Sequence, residues 1–368
     1  MRRVNAALGG SPTLQVQNDR IVNGAGQAVQ LRGVNRAIFD SRCTYDSSGF
    51  ADGPADQTSI SAIVAWKPDI VRVTVNEDCW LGINGLPLGG NAAGYRAAVV
   101  SYVSLLRRNR LYVILTPQLS APGADKSVKI DYMPDNDHLP AFWRSLASIF
   151  RADHGIIFDP ISEVAMASWN NPHPNPPGQW NCWRNGCVLD SVYGGRFQAA
   201  GLQSLINAIR STSATQPILL GGLSYNSDFS QLIGNLPSDP QHQLIASAHV
   251  YDFAEGGATN SLFTNQLEPI AQHLPVILGE FGEQNCDSGT AAYTSHVLSL
   301  VDGEASKGHI FGALGWTWNA RTSSSTGWRC PTSSSGEGGP LLIRDYTGVP
   351  TVMGGVFRNW FLSKAGNP

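Results

Sequence analysis

A closed (β/α)8 TIM barrel with a short N-terminal β-hairpin is the fold class this sequence predicts, on three observations. Eight short apolar runs recur along the chain, stretches of helical period lie between most of them, and no linker separates one unit from the next. Continuous Val/Ile/Leu-rich strands are buried on both faces, as in a parallel sheet wrapped by helices, and eight of them can close into a barrel. The expected organisation is therefore one domain over residues 12–364.

The elements follow in order. LQVQNDRIVNGAGQAVQLRG (14–33) reads as a hairpin entering the first barrel strand. Its GAGQAV has the glycines of a dinucleotide loop, but a strand and not a helix follows, so a turn is the reading. The barrel strands are VQLRGVN, DIVRVTV, LYVILTP, IIFDPIS, PILLGG, LIASAHV, PVILGE and FGALGWTW. Helices are expected over 95–109, 141–152 and 197–211, and a helix-forming stretch follows Glu163. The Ser/Gly-rich segment 320–340 reads as a loop pinned by Cys330 if that cysteine is bridged.

Composition excludes several classes. Charged residues are 14 % of the 368, well below the usual quarter, which fits a compact chain with ordered loops. The net charge of −3, without a basic run, offers no surface for nucleic-acid phosphates. No run of 18 apolar residues is present, so no membrane span is expected, and MRRVNAALGG lacks a signal-peptide core. Any export signal is absent or already trimmed. The six cysteines, at 43, 79, 182, 187, 286 and 330, form no C-x-x-C pair and accompany no HExxH, so disulfides fit better than a metal site. The pairs 43–79, 182–187 and 286–330 would staple loops, and such bridges imply secretion; the alternative is six free thiols in a reducing compartment. No metal and no cofactor is expected.

The chemistry is sought at the C-terminal ends of barrel strands. Glu163 directly follows the fourth apolar run and Glu280 closes the seventh. Either acid alone would read as a surface or ion-paired group. Together they are the two carboxylates that glycoside hydrolysis requires, one to protonate the departing oxygen and one to meet the oxocarbenium carbon. Glu283 is the weaker candidate because Glu280 is the one that ends the strand. Glu77 and Asp78 read as loop-fixing or solvated groups, and His138 as a cleft or structural histidine. Ten tryptophans suit stacking on sugar rings. Trp66, Trp143 and Trp360 lie in helical patterns and belong to the core. Trp80, Trp169, Trp180, Trp183 and Trp328 lie in loops, about half of them placed to contact substrate. A serine esterase on Ser162 would need a histidine aimed at it, and no G-x-S-x-G elbow or P-loop occurs.

In this order and spacing, LRGVNRA, VRVTVNEDCWLG, MPDNDH with Phe142 and Trp143, QWNCW, SAHVY, LGEFGE, GWTWN and LLIRDYTGVPTVMGGVF resemble glycoside hydrolase family 5 from about residue 28 to 361. The resemblance implies a retaining β-glycosidase acting on a β-linked glucan or related oligo- or polysaccharide, with its acid/base after strand four and its nucleophile on strand seven. Carried over position by position, Glu163 is the acid/base and Glu280 the nucleophile. Arg72 holds Glu280 ionised, His249 lies near the acid/base, Tyr251 lies near the nucleophile, and Trp316 floors the sugar site. Two positions depart. Gln118 and Leu119 stand where the family has His and Trp, and Ser162-Glu163-Val164 stands for Asn-Glu-Pro. Serine is too short to reach the sugar 2-hydroxyl as asparagine does. Loss of such a bond, about 1.5–3 kcal/mol, would slow the reaction roughly 10- to 150-fold. Both changes fall on the wall that holds the sugar, which implies altered sugar selection. A barrel that binds carbohydrate with little or no turnover is the alternative. Arg72 and Tyr251 are expected to keep Glu280 anionic, and that charge to raise the pKa of Glu163.

Overall fold

A computed structural model describes residues 12–167, 178–254, 259–320, 330 and 340–364. An antiparallel pair, β1 (Leu14–Gln17) and β2 (Arg20–Asn23), comes first. Leu14, Val16 and Ile21 pack with Ile114, Ile157, Leu219, Ile245, Ile277 and Leu314 of the barrel strands. Gln243 locks the pair in place by accepting from Val16 N at 2.7 Å and donating to Val16 O at 3.0 Å. The glycine-rich stretch after β2 is a turn, as expected: the Asn23 side chain accepts from Ala25 N and Gln27 N, and Gly26 takes a φ of 77°.

Eight parallel strands close the barrel in the order β3 (Arg32–Phe39), β4 (Ile70–Asn76), β5 (Tyr112–Leu119), β6 (Ile156–Phe158), β9 (Ile218–Gly221), β10 (Leu244–Tyr251), β11 (Val276–Gly282) and β12 (Gly312–Gly315), which pairs back on β3. Each coincides with one of the eight apolar runs. The runs are continuous and not alternating because one face fills the barrel and the other packs on helices; every residue of β3, β4, β11 and β12 is buried. Helix Ala92–Arg108 shows the local logic. Asn91 caps it by accepting from Gly94 N, Tyr95, Val99, Tyr102, Val103 and Leu106 form its buried face, and Arg107 and Arg108 lie in its last turn. Helix Leu139–Phe150 occupies the second expected span.

Two helical expectations change. Arg196–Gln198 is a strand, β8, paired with β7 (Val188–Asp190), and the helix begins only at Leu202. Gly186 and Gly201 let these segments cross: a Cβ on Gly201 would lie 2.3 Å from Gly186 N. After Glu163, residues 164–167 form no helix. Their carbonyls instead accept bonds from the loop after β9, at Val164 O and Met166 O.

All three disulfides pair as expected, Cys43–Cys79, Cys182–Cys187 and Cys286–Cys330. Apart from Cys330, the segment 321–339 lies outside the described residues, as do Trp169 and Trp328. Trp66, Trp143 and Trp360 are core, as read from sequence. Trp80, Trp180 and Trp183 are core as well, contrary to the loop reading, because they sit in the short helices Glu77–Leu81 and Gln179–Asn185 and face inward. Trp80 Nε1 donates to Ser145 Oγ, and Trp180 packs edge-on against Trp183. Among the described residues no helix is long and apolar enough to cross a membrane.

Candidate active site

Arg72, on β4, is fully buried inside the barrel, and all five of its N–H groups have acceptors. Nη1 donates to Glu280 Oε1 at 2.6 Å and to Asn35 Oδ1 at 3.0 Å. Nε and Nη2 donate to Asp159 Oδ2 at 3.0 and 2.8 Å, and Nη2 also donates to Ser162 Oγ at 2.8 Å. A buried guanidinium is tolerated on these terms, with two carboxylates beside it and no donor orphaned.

Glu280 reaches this network through a bulge. Ala248 pairs with Leu278 and His249 with Glu280, so Gly279 is skipped. Glycine eases the close approach there, since a Cβ would lie 2.2 Å from Ser247 Oγ. A bulge re-aims the following side chain, which places Glu280 against Arg72 instead of in the strand's regular alternation. Its Oε2 accepts from the Tyr251 hydroxyl at 2.7 Å, and its Oε1 from Ser162 Oγ at 3.3 Å.

Glu163 lies in the segment beyond β6, which ends at Phe158, and keeps 11 % of its side chain exposed, against 3 % for Glu280. His249 Nδ1 lies 2.6 Å from Glu163 Oε1 and 3.6 Å from Glu280 Oε2. Ligand-capable atoms of these three side chains all fall within 4.8 Å of one another. Two further groups of that kind, sharing His138, involve Glu77 with Asp78 and Asp135 with Asp137. Any of the three could in principle hold a cation, but the Glu163–Glu280 pair already accepts from His249, Arg72, Ser162 and Tyr251.

Burial separates the protonation states. It pushes the Glu163 carboxyl up to about 8, with Arg72 opposing and Asp159 adding. The expectation that Glu280 is what raises Glu163 is thereby corrected: loss of water is the main cause. Burial also pushes Glu280 above the ordinary carboxylate value, although Arg72 and the Tyr251 hydroxyl favour its ionised form. Those partners were expected to dominate, and desolvation outweighs them. His249 is driven down to about 4 by burial and is neutral at neutral pH.

Arg72, Ser162, Glu163, His249, Tyr251 and Glu280 thus converge. Trp316 follows β12, is 7 % exposed, and its backbone N–H donates to Phe281 O beside Glu280. Gln118 stands near the end of β5, with a buried Oε1 that has no hydrogen-bond partner. Ser162 departs from what its shortness implied: its hydroxyl is fully buried and engaged by Arg72 and Glu280. Among the described residues its hydroxyl bonds to Arg72 and Glu280 and not to a histidine that would make it a nucleophile. Glu283 lies apart, accepting from Thr294 N and Oγ1. Glu77 and Asp78 fix loops through Ala121 N and Ser127 N, and their full burial excludes the solvated alternative. Sequence reasoning missed Asn35, Asp159 and Asn226. Asp159 carried a signal, a lone acid inside the apolar run IIFDPIS; Asn226, in a Ser/Asn-rich turn, carried none.

Comparison with known proteins bears on the fold and the family. The chain is 22 % identical to the mannan endo-1,4-beta-mannosidase of Streptomyces lividans over 334 residues, covering 86 % of this chain and 68 % of that protein. A β-glucanase of Saccharophagus degradans, in complex with cellotetraose, shares the fold with a TM-score of 0.66 at 15 % identity, over 96 % of this chain and 94 % of that one. The catalytic domain of a mannanase from Streptomyces sp. SirexAA-E does so at 0.59 and 17 %, over 94 % and 89 %. The family model for cellulase, glycosyl hydrolase family 5, matches residues 22–322. That span takes in the whole barrel and both carboxylates, and the chain belongs to glycoside hydrolase family 5 and is a glycoside hydrolase.

Proposed function

We propose that this enzyme hydrolyses β-linked glucan or mannan chains with retention of configuration. The observation that carries the reading is the closeness of the two carboxylates, with oxygens within 4.8 Å and one imidazole nitrogen between them. Retaining glycosidases need about 5–5.5 Å between carboxyl groups, whereas inverting ones need roughly 6.5–9.5 Å to admit a water. Glu280, beside Arg72, attacks the anomeric carbon while Glu163, protonated at neutral pH, gives its proton to the departing oxygen. Glu163 then takes a proton from water, which releases the sugar from Glu280. Tyr251 and Arg72 hold the Glu280 oxygens in line, and Trp316 supplies the face against which the sugar ring lies.

Ser162 and Gln118 are the two positions that set sugar selection apart from the family pattern. The serine hydroxyl is occupied below the pair, which leaves the sugar's 2-position contacted by other groups or by water. Secretion is the proposed localisation, supported by three disulfides. The test is to incubate the protein with 2,4-dinitrophenyl 2-deoxy-2-fluoro glycosides of cellobiose and mannobiose and to weigh it intact. One glycosyl unit should be added, and Glu280→Gln should abolish it. Proton NMR of the first product should show the β-anomer. An initial α-anomer would overturn the mechanism.

A further inference from the structure

The chain leaving β9 makes a left-handed turn, with φ of 51°, 54° and 58° at Ser224, Tyr225 and Asn226. That conformation costs roughly 1–2 kcal/mol for each non-glycine residue, so three in succession persist only where the surroundings over-determine them. They are held by the segment carrying Glu163. Ser224 N donates to Met166 O at 2.8 Å and Tyr225 N to Val164 O at 2.9 Å. Asn226, 2 % exposed, donates from Nδ2 to Ser162 O at 2.6 Å. Gly221 makes room for it: a Cβ there would lie 2.6 Å from the amide carbon.

The same Nδ2 stands 3.3 Å from His249 Nε2. A carbonyl oxygen only accepts, so the Ser162 contact fixes which way the amide faces and puts a nitrogen, not an oxygen, beside the ring. The second N–H of that nitrogen meets Nε2, which must therefore carry a lone pair. The imidazole proton is left on Nδ1, pointing at Glu163. We propose that Asn226 is a positioning residue that fixes the tautomer of His249, so that the ring presents a donor and not an acceptor to the acid/base. The proposal rests on the reading of Glu163 as that group. A donor at Nδ1 stabilises the Glu163 carboxylate once its proton has gone. The opposite tautomer would turn a lone pair to Oε1 and draw the carboxyl proton away from the leaving group.

The charged and titratable groups around this corner are Arg72 from β4, Asp159 and Glu163 beyond β6, His249 and Tyr251 on β10, and Glu280 on β11. In Asn226→Asp the new carboxylate can only accept, so it calls for a proton on Nε2. His249 then becomes a cation beside Glu163, which lowers the basic limb of the kcat/KM profile on unactivated glycan by about 1–3 pH units, or it reverses its tautomer and accepts from the Glu163 carboxyl, which moves that limb the other way. Formation of the glycosyl-enzyme from a 2,4-dinitrophenyl glycoside, whose leaving group needs no proton, should change less than about tenfold. An unmoved basic limb in a folded variant overturns the proposal. Nitrogen-15 NMR of histidine-labelled wild type provides a readout that needs no substrate and no Asn226 variant. The resonance pair lost in His249→Gln should show Nδ1 protonated and Nε2 bare at pH 6.5, and the reverse overturns the proposal. If the protein neither turns over glycans nor labels at Glu280, the functional reading fails while the tautomer is still read.

Discussion

Arg72 sits where the ion-pair logic of the site is concentrated, between Asp159 and Glu280, both buried. Removing it leaves two carboxylates without their cation, so Arg72→Met should lower unfolding free energy by about 3–5 kcal/mol in urea titrations, besides abolishing labelling of Glu280. Glu163 should behave in the opposite way. Its carboxyl is near 4.5 in the unfolded chain and about 8 when folded, so the folded state binds the proton more tightly. The associated stability is present below pH 4.5 and is lost as pH rises through 8. Glu163→Gln removes that penalty. The variant should be inactive on unactivated glycans yet more stable than wild type by at least about 1 kcal/mol at pH 8, with the difference vanishing toward pH 4.5. Equal stability gains at both pH values would contradict the burial argument. Ser162→Ala separates the two views of that residue. A hydroxyl bonded to Arg72 and Glu280 contributes about 1.5–3 kcal/mol, so kcat should fall roughly 10- to 150-fold with little change in KM.

Among the elements, the bulge in β11 decides where Glu280 points. Gly279→Ala drives a methyl into Ser247 Oγ, so the serine side chain or the strand must give way. A loss of about 1–3 kcal/mol in stability is expected together with a drop in kcat, and Ser247→Gly in the same chain should restore both. Helix Glu77–Leu81 is held at its start and at its middle. Asn76 caps it by accepting from Cys79 N, and Cys79 bonds to Cys43 across 36 residues. Opening that bridge in Cys43→Ala/Cys79→Ala should cost about 2–4 kcal/mol, read as a lower midpoint in denaturant. The apolar runs announced every barrel strand because burial on both faces leaves an uninterrupted pattern. The β7–β8 pair was hidden, since FQAAGLQSLINAIRS runs without a polar break into the helix that begins at Leu202.

At the scale of the whole molecule, the barrel creates a dry interior and then sets charges in it. Burial holds Glu163 protonated up to about pH 8 and His249 neutral down to about 4, so the rate on glycan should follow a bell whose basic limb lies near 8. His249 carries a stability cost of the reverse sign. The unfolded chain gains a proton below 6.5 that the folded ring refuses until about 4, so stability falls as pH drops across that window. The amino-acid sequence by itself determined the eightfold strand pattern, the even set of six cysteines and the two acids that follow or close the fourth and seventh apolar runs. Each of these is a periodic pattern, a count or a position beside an apolar run, and can be read along the chain. Only the tertiary structure decided that Asp159 and Asn35 share Arg72, that Ser162 turns its hydroxyl into that network, and that Asn226 stands under His249. These contacts join residues 23 to 118 positions apart, and closure of the barrel, which no local pattern encodes, brings them together.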